Sequence, residues 1–473
     1  FGQYDWKGVP EILPEIMLLL PWFPLSLYSM SSWTRAIIVP LMIVNHYRPL
    51  APTPEGGGID ELRGDRRAER TLYVESRNGT SPWKRVFVSL DPLLKLWSRR
   101  PIAAVRGRAL RKARSWILRR QHRSDGLGAI WPGIVNTAFA LKCLGLRDGD
   151  PVLERTIGQM LGLVIEDGGR LKVQPCKSPV WDTALTMIGW LRAGMPAGDP
   201  ALARAAKWLL DREVRLPGDW RVRRPRAAPG GWYFEYANEF YPDLDDTAVV
   251  VMALACVDLG PEQPVLQSAV DRALAWVLAM QNRDGGWGAF DADNRHPILC
   301  DLPFADHNAI LDPSTPDLTG RVLEMCGRLG FTEKEPEIAR AVRFLIGAQE
   351  PDGSWFGRWG VNHIYGTAAV LVALNAVRHD MTAPEVVRAA GWIERVQNPD
   401  GGWGERCDSY HRPDARGRGE STPSQTAWAM LALMAAGRWD SPALARGAEY
   451  LLAGQESDGA WRERNFTGTG FPS

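Results

Sequence analysis

Three carboxylates lie within four residues at the start of an apolar segment. The run reads Tyr241-Pro-Asp-Leu-Asp-Asp-Thr-Ala248 and leads into Val-Val-Val-Met-Ala-Leu-Ala. Asp243 fits the N-cap of a helix and Asp246 its partner three residues on, because carboxylates are favoured at the positive end of the helix dipole. Capping gives Asp245 no role, and it does not explain why three like charges stand so close. Two interpretations therefore remain open, a helix cap and a chemical site.

The chemistry that such a run could perform is proton donation to carbon. A carboxyl crowded by other carboxyls and screened from water keeps its proton, while a helix N-terminus makes that proton easier to release. Protonation of a carbon–carbon double bond requires an acid of this kind. The resulting cation needs walls that stabilise positive charge without bonding to it, and aromatic faces do so. The 21 tryptophans of the chain could supply those walls.

A repeat of aromatic, Gln and Trp residues indicates the elements that position this run. Gln follows the aromatic after five residues, and Trp follows Gln after six. The clear copies are Trp276…Gln281…Trp287, Phe344…Gln349…Trp355, Trp392…Gln397…Trp403 and Tyr450…Gln455…Trp461. Weaker copies are Trp116…Gln121 with Trp131 displaced, and Trp208…Trp220 with Glu213 in place of Gln.

The spacing of the copies leaves room for two helices and their loops in each unit. Ala-rich apolar segments with few strand formers between them predict an all-α protein. Helix pairs curled round a centre predict an α/α barrel, or toroid. We expect each Gln side chain to bond backbone groups at the ends of neighbouring helices while Trp packs against it. Asp and Gly between them predict a turn.

Composition excludes several classes of function. Of the 473 residues, 56 are Lys or Arg and 55 are Asp or Glu, so bulk charge does not favour nucleic-acid binding. The six cysteines form no CxxC pair, which disfavours a zinc ribbon and a dithiol redox motif. The seven histidines have no cysteine at ligand spacing. We therefore expect neither a metal site nor a nucleic-acid partner.

Two further segments bear on a membrane. Residues 16–34 carry no charge, but Pro21 and Pro24 interrupt them, which favours a buried, kinked segment over a membrane span. Residues 95–123 contain eleven Lys or Arg and no Asp or Glu, beside the apolar residues of 86–97. This pattern is typical of a helix lying on an anionic membrane surface, and a solvated basic helix is the alternative.

These motifs together resemble the bacterial squalene–hopene cyclase family. The resemblance rests on the Asp-Leu-Asp-Asp-Thr-Ala run, the Gln-to-Trp repeats and the stretch 353–361. Further similar stretches are 13–17, 178–182, 421–426 and 468–472, so the resemblance spans essentially the whole chain. The oxidosqualene branch has Cys-Thr-type sequence at the second aspartate. Asp-Leu-Asp-Asp therefore points to squalene, whose alkene needs a stronger acid than an epoxide does.

The resemblance implies that Asp245 is the proton donor. The rest of the implied catalytic set comprises the flanking carboxylates Asp243 and Asp246, the second acidic cluster Asp312 and Asp317, and Arg321. Arg321 stands where the best-known members have a histidine that hydrogen-bonds the donor. Arginine is permanently charged and cannot relay a proton. It could acidify Asp245, or instead hold Asp317 one helical turn away.

The resemblance also implies a substrate cavity and its entrance. The implied cavity residues are Trp33, Ile130, Trp181, Phe234, Tyr241, Trp287, Phe290, Trp359, Tyr365 and Phe471. The implied channel residues are Met30, Ile38, Phe304 and Ala305. Phe290 stands where many members have Tyr. Trp131 and Asn136 replace Gln and Tyr of the family near the far end of the product, so the ratio of hopene to hopanol is left open.

The implied function is a class II terpene cyclase that protonates squalene and cyclises it through carbocations to hopene and/or hopanol. No metal or organic cofactor is implied, because no diphosphate leaves. The implied partners are squalene and a membrane surface, contacted from one face as a peripheral or monotopic protein of the bacterial cytoplasmic membrane. A homodimer is allowed.

We expect residues 1–176 to form most of a second, inserted barrel domain and residues 177–473 most of the catalytic toroid. The domain at each end of the chain reads as incomplete, so further segments are expected before Phe1 and after Ser473.

Several alternatives stay open at this point. A class II diterpene cyclase shares the aspartate motif but acts on a prenyl diphosphate and wants Mg²⁺ and a basic pocket. A protein prenyltransferase subunit needs a zinc set, and an α/α-barrel glycoside hydrolase uses two carboxylates flanking a polar groove. A non-catalytic lipid-binding fragment is a further option. Asp245 on an open polar surface would exclude the cyclase, whereas Asp245 facing an apolar, aromatic-walled cavity would favour it.

Overall fold

A computed structural model describes residues 4–52, 57–58, 81–304 and 309–468. In these residues the chain is predominantly helical, with fifteen α-helices. The strands found in the described ranges form one antiparallel hairpin, β1 (Val164–Asp167) and β2 (Arg170–Val173), in which Val164 pairs with Val173. The predicted all-α fold class is confirmed.

The chain divides into two compact units. The first consists of Phe1–Ser178, Glu235–Tyr241 and Asn294–Leu311, and the second of the remaining segments up to Ser473. The predicted domains, 1–176 and 177–473, are two consecutive pieces. They are expected to form most of each domain, and two later loop segments also belong to the first unit.

The first unit contains five α-helices in its described residues. They are α1 (Ser32–Tyr47), α2 (Pro82–Arg99), α3 (Ala103–Arg120), α4 (Trp131–Cys143) and α5 (Pro151–Leu161). Its apolar core is built around α1, which contacts α3 and α4. The α1 helix begins where the Ser31 hydroxyl accepts a hydrogen bond from the Thr34 amide.

The structure corrects the prediction for residues 16–34. They are not one buried segment, because residues 19–23 form an exposed turn before α1 begins at Ser32. Trp22 is 73% exposed and Leu20 56%. Prolines at 21 and 24 prevent a helix here, and the backbone turns at the surface instead.

The second unit consists of helix pairs in two layers. The inner helices are α6 (Pro179–Arg192), α8 (Leu244–Leu254), α10 (Pro316–Arg328), α12 (His363–Ala376) and α14 (Pro423–Ala435). Each inner helix contacts the next inner helix and also the outer helix that follows it in the chain. The outer helices are α7 (Pro200–Leu210), α9 (Gln263–Ala279), α11 (Pro336–Gly347), α13 (Pro384–Arg395) and α15 (Pro442–Gly454). This succession within the unit is the α/α toroid pattern expected from the repeats.

The Gln residues of the repeat join neighbouring helix pairs. The Gln281 side-chain amide donates to the Gly285 carbonyl at 2.8 Å and to the Glu337 carbonyl in the first turn of α11 at 2.9 Å. Its oxygen accepts a hydrogen bond from Arg340 of the same helix. Gln349 and Gln397 repeat this pattern with the first turns of α13 and α15. The predicted role of the Gln side chain is confirmed.

Glycine is required at the turn of each junction. Gly285 has φ +96°, and a Cβ there would lie 2.6 Å from the Arg340 carbonyl oxygen. Gly353 and Gly401 repeat both features. The turn therefore needs both the left-handed backbone and the missing side chain.

The repeat tryptophans close the junctions from inside. Trp287 Nε1 donates to the Val277 carbonyl of the preceding outer helix at 2.8 Å, and its backbone N–H donates to the Thr319 hydroxyl on α10. Trp355 and Trp403 make the equivalent bonds. All three side chains are fully buried.

One predicted copy of the repeat has the wrong tryptophan. Glu213 does replace Gln, since its carboxylate receives Nε and Nη2 of Arg272 at 2.6 and 2.7 Å. The tryptophan of this copy is Trp232, which donates to the Leu209 carbonyl at 2.7 Å. The predicted Trp220 is buried, and its N–H has no hydrogen-bond acceptor among the described residues. The sequence spacing misled here because a long loop separates Glu213 from Trp232.

Candidate active site

The start of α8 holds the three carboxylates of the aspartate run. Asp243 is the N-cap of this helix, and its Oδ1 accepts the backbone N–H of Asp246 at 2.8 Å. Both side chains are buried. The capping interpretation therefore holds for Asp243 and Asp246, and Asp245 is left for another role.

Asp245 faces a cation instead of the helix end. Its Oδ1 lies 3.1 Å from Nε of Arg321, which projects from α10. The Asp245 side chain keeps 17% exposure and that of Arg321 20%. The guanidinium carbon also lies 5.8 Å from the centre of the Trp181 ring. Of the two roles left open for Arg321, the structure therefore favours the contact with Asp245 over one with Asp317.

The electrostatics of this cluster favour protonated carboxyls. Burial raises the pKa of Asp245, Arg321 opposes that shift, and Asp317 adds to it. Burial also raises the pKa of Asp243, to about 7, with hydrogen bonds from Asp246 opposing and Asp245 reinforcing the shift. Two crowded carboxyls in a screened site cannot easily both ionise. A carboxyl in this cluster therefore keeps its proton at pH values well above those at which an aspartic acid usually ionises.

The Tyr365 hydroxyl belongs to the same charge cluster. Burial raises the pKa of this phenol, and Asp245 raises it further while Arg321 opposes. Burial alone would lower the pKa of Arg321, but its attraction to Asp245 and Tyr365 raises it. Tyr365 thus stays neutral and Arg321 charged at ordinary pH.

Asp312 holds the turn that carries Phe290. Its Oδ1 accepts the N–H of Ala289 at 2.8 Å, and its Oδ2 accepts those of Phe290 at 2.6 Å and Asp291 at 2.8 Å. The residue is fully buried. Burial and Asp291 raise its pKa to about 6, against the lowering effect of these amides. Asp312 therefore has a positioning role.

Asp317 does the same for the turn that carries Trp359. Its Oδ2 accepts the N–H groups of Arg358 and Trp359, each at 2.9 Å. Asp317 lies in the first turn of α10, one turn before Arg321. Asp317 thus links the aromatic turn to the helix that supplies the partner of Asp245.

Two aromatic pairs of the second unit each have one member near Arg321. The rings of Trp181 and Phe234 have centroids 6.3 Å apart, and the Phe234 carbonyl accepts the backbone N–H of Val180. Tyr365 packs on Trp428 with centroids 4.8 Å apart. Phe290 and Trp359 are half-buried.

Other predicted cavity and channel residues lie in the first unit or in cores. Trp33 donates its Nε1–H to the Ala309 carbonyl at 2.6 Å. Tyr241, Met30 and Ile38 are buried in the first unit, where Ile130 and Phe304 are half-buried. Trp287 is fully buried as a repeat tryptophan, and its place in the cavity stays a prediction. Ala305 and Phe471 lie outside the described residues.

Sequence reasoning missed a second buried pair near the Trp359 turn. Glu405 Oε2 accepts the N–H of Ile364 at 3.0 Å, and its Oε1 lies 3.2 Å from Nδ1 of His363. Burial would raise the pKa of Glu405, but the hydrogen bond and charge of His363 hold it below its usual value. The Tyr410 hydroxyl donates towards the Gly357 and Gly360 carbonyls.

A signal for the site residues was present in the helix register. Repeat tryptophans donate their backbone N–H groups to threonine hydroxyls on the inner helices. These threonines are Thr247, Thr319, Thr367 and Thr426. Residues two positions before these threonines include Asp245, Asp317 and Tyr365. Residues two positions after them include Arg321 and Trp428. Aligning the threonines would have found Trp428, which sequence analysis did not name.

Two features are absent from the described residues. No group of three or more His, Cys, Asp or Glu side chains there is arranged to hold a metal ion. Across the same ranges, no helix combines the length and the apolar character that crossing a membrane needs.

Comparison with known proteins identifies the class. Residues 1–169 match the model of the squalene–hopene cyclase N-terminal domain, and residues 177–473 match that of the C-terminal domain. The chain belongs to the squalene–hopene cyclase family. The predicted family, and with it the predicted class of triterpene cyclase, is confirmed, and the diphosphate-using alternative is not favoured.

The particular relatives are similar along the whole chain. The squalene–hopene cyclase of Alicyclobacillus acidocaldarius is 44% identical over 472 residues, covering 100% of this chain and 74% of that protein. The squalene–hopene cyclase of Bradyrhizobium diazoefficiens is 44% identical and is covered over 72% of its length. Among solved structures, the ent-copalyl diphosphate synthase of Streptomyces platensis matches with TM-score 0.45 at 18% identity, covering 96% of this chain and 90% of that one.

Proposed function

We propose that this protein protonates squalene at Asp245 and cyclises it through carbocations to hopene and/or hopanol. The observation that carries the proposal is the 3.1 Å contact between Asp245, whose side chain is 17% exposed, and Arg321, whose guanidinium lies 5.8 Å from the Trp181 ring centre. The two relatives at 44% identity are named squalene–hopene cyclases, which supports squalene as the substrate.

The first step is a proton transfer. The O–H bond of Asp245 breaks as the π electrons of the terminal alkene form a C–H bond at its CH carbon, which leaves a tertiary cation on the dimethyl-substituted carbon. Arg321 stabilises the carboxylate that remains, and so strengthens the acid without taking part in the transfer itself. Asp317 and Asp243 oppose early loss of the proton to water by disfavouring a further negative charge nearby.

The later steps depend on walls that do not react. Each ring closure moves the positive charge along the chain, where a nucleophile would end the reaction early. Trp181, Phe234, Phe290 and Trp359 offer π faces that stabilise a cation by about 0.5–2 kcal/mol each. Loss of a proton gives hopene, and addition of water gives hopanol.

The test is the reaction itself. Incubate the purified protein with squalene in detergent and analyse the apolar extract by gas chromatography–mass spectrometry, with D245N beside it. Pentacyclic product from the parent and none from the variant is the expected result. A parallel incubation with geranylgeranyl diphosphate and Mg²⁺ tests the diterpene alternative. Product there and none from squalene would overturn the proposal.

We further propose that α2 contacts a membrane surface. This helix buries none of its residues and carries a stripe of exposed apolar side chains at helical spacing, Trp83, Val86, Leu90, Leu93 and Trp97. Water-exposed stripes of this size mark interaction surfaces. Trp97 Nε1 also contacts Glu15, close in sequence to the exposed turn at 19–23.

The basic half of the predicted membrane stretch is a separate helix. α3 exposes Arg108, Arg111, Lys112 and Arg114, whereas its Arg106 is buried against Glu15. Cations beside an apolar stripe favour anionic lipid. The expected location is therefore peripheral or monotopic on the bacterial cytoplasmic membrane.

Vesicle binding tests the surface. L93Q combined with W83Q should release most of the protein from vesicles containing phosphatidylglycerol in a flotation assay. W439Q, in the second unit, is the control because Trp439 is 65% exposed and lies outside the stripe. Equal flotation of all three proteins would contradict the proposed membrane surface. The predicted homodimer stays a prediction, and sedimentation in detergent measures it.

A further inference from the structure

Arg321 lies between two carboxylates. Its Nε is 3.1 Å from Asp245 Oδ1, and its Nη1 is 3.3 Å from Glu324 Oε2. Glu324 also receives Arg328, whose Nη2 is 2.5 Å from Oε1. The order of charges along this row is Asp245, Arg321, Glu324, Arg328. The last three lie on one face of α10, three and four residues apart.

The row is too buried to act as an ordinary surface ion pair. The side chains of Glu324 and Asp245 are 10% and 17% exposed, so each charge depends on its partner. One guanidinium cannot give its full attraction to two carboxylates at once. The attraction between Arg321 and Glu324 therefore weakens the attraction between Arg321 and Asp245.

The groups facing Asp245 come from three helices. Arg321, Asp317 and Glu324 belong to α10, and Tyr365 belongs to α12. Asp243, on the same helix end as Asp245, is the fifth. In this set Arg321 is the one permanent cation. Altering Glu324 or Arg328 changes how strongly Arg321 interacts with Asp245.

We propose that Glu324 is a positioning residue, which divides Arg321 between two carboxylates and thereby sets the acid strength of Asp245. The proposal rests on the proposed function, in which Asp245 is the donor. With Arg321 wholly on Asp245, the donor would lose its proton at a lower pH and stand as an inert carboxylate. Arg328 has the reverse influence, because it draws Glu324 away from Arg321.

Two variants in one helix should move the acidity in opposite directions. E324Q removes a negative charge that favours the protonated donor and frees Arg321 for Asp245. R328Q leaves Glu324 free to bind Arg321 fully. In squalene cyclisation the rate falls as pH rises through the titration of the donor. E324Q should move this fall about one pH unit lower, a tenfold loss of rate above it, and R328Q should move it higher.

Controls separate this role from a structural one. E449Q removes an exposed carboxylate of α15 in the same unit and should leave the profile unchanged. A general loosening of α10 would lower the rate of both variants at every pH without moving the profile. Opposite shifts support the proposal, and unmoved or parallel profiles overturn it. If E324Q does not fold by circular dichroism, R328Q decides alone, by an upward shift or none.

A second readout needs no substrate. The carbonyl stretch of protonated Asp245, obtained by subtracting the infrared spectrum of D245N from that of each protein, can be titrated directly. E324Q should lower its midpoint and R328Q raise it. Shifted midpoints in a protein that does not cyclise squalene would retain this inference and remove the proposed function. Unshifted midpoints in an active enzyme would do the reverse.

Discussion

The repeat junctions and the carboxylate cluster use buried polar groups for opposite purposes. At Gln281 each amide hydrogen bond goes to a backbone carbonyl, and the one oxygen accepts from Arg340. In the cluster, Asp245 and Glu324 share Arg321 as their cation, and Asp317 adds a further negative charge close to Asp245. Polar groups whose hydrogen bonds are all made stabilise a fold. An excess of carboxylates over cations keeps one carboxyl protonated and able to donate its proton.

Residues of the repeat junctions and of the carboxylate cluster alternate along the same helix. On α10 the Thr319 hydroxyl serves the Trp287 junction, while Asp317 and Arg321, two residues to either side, serve the cluster. The rigid junction therefore fixes the register in which the reactive groups face one another. Changes in one region should leave the property of the other largely intact.

The largest effect should come from D245N. Loss of the donor removes the protonation step, and we expect cyclisation to fall by at least about 10³-fold. The melting temperature should stay close to that of the parent, because Asn fits the same space, removes like-charge repulsion and leaves Arg321 paired with Glu324. Assays of product formation and calorimetry on one preparation measure both. A folded D245N with a tenth of the parent rate would contradict the role of Asp245.

D312A should damage both properties. It strands the amides of Ala289, Phe290 and Asp291 in the protein interior, at a cost of about 3 kcal/mol or more. Because the turn carries Phe290, the rate per folded molecule should fall as well. Chemical denaturation and product assays measure the two effects. Loss of stability with an unchanged rate would limit Asp312 to a structural role.

Stability should depend on pH through Asp243. Burial raises the pKa of this carboxyl from 3.8 to about 7 in the folded protein. The folded state thus holds the proton more tightly, so the stabilisation is complete below pH 3.8 and is lost as pH rises through about 7. Denaturation at several pH values should show the decline, and D243N should flatten it. A rise in stability over the same range would contradict the assignment.

Q349A should cost stability and spare activity. It removes hydrogen bonds to the Gly353 and Glu385 carbonyls and the contact with Arg388, for a loss of about 2 kcal/mol. Q455A is the matched control, since the bond of Gln455 in the described residues goes to the Gly459 carbonyl at an exposed site. Urea denaturation compares them. Equal losses would show that the link between helix pairs adds nothing.

The smallest effect should separate two buried tryptophans. W232F removes the bond to the Leu209 carbonyl, whereas W220F removes an N–H with no acceptor in the described structure. W232F should therefore be less stable than W220F by about 1 kcal/mol. Thermal unfolding of the pair measures the difference, and a reversed order would restore Trp220 as the repeat tryptophan.

Local patterns predicted much of this molecule. The period of the repeat gave the paired helices, and Asp243 was recognisable as a cap because capping depends on residues three apart. The contacts of the candidate active site could not be predicted from local patterns. The contact of Asp245 with Arg321 joins residues 76 positions apart, and Asp312 and Asp317 hold turns through backbone amides that no side-chain pattern reveals.

The wrong predictions have physical causes of the same kind. Trp220 was chosen because the loop after Glu213 hides the true spacing to Trp232. Residues 19–23 were expected to be buried because they are apolar, yet apolar residues are also exposed where a surface contacts another phase.

In the proposed mechanism, the exchangeable proton of a carboxyl starts the reaction. Incubation with squalene in heavy water, followed by mass spectrometry of the pentacyclic product, tests it directly. We expect one deuterium per product molecule, located on the ring methylene carbon formed from the alkene CH group that receives the proton. D245N should give no product of this mass. Product without deuterium would contradict initiation by Asp245.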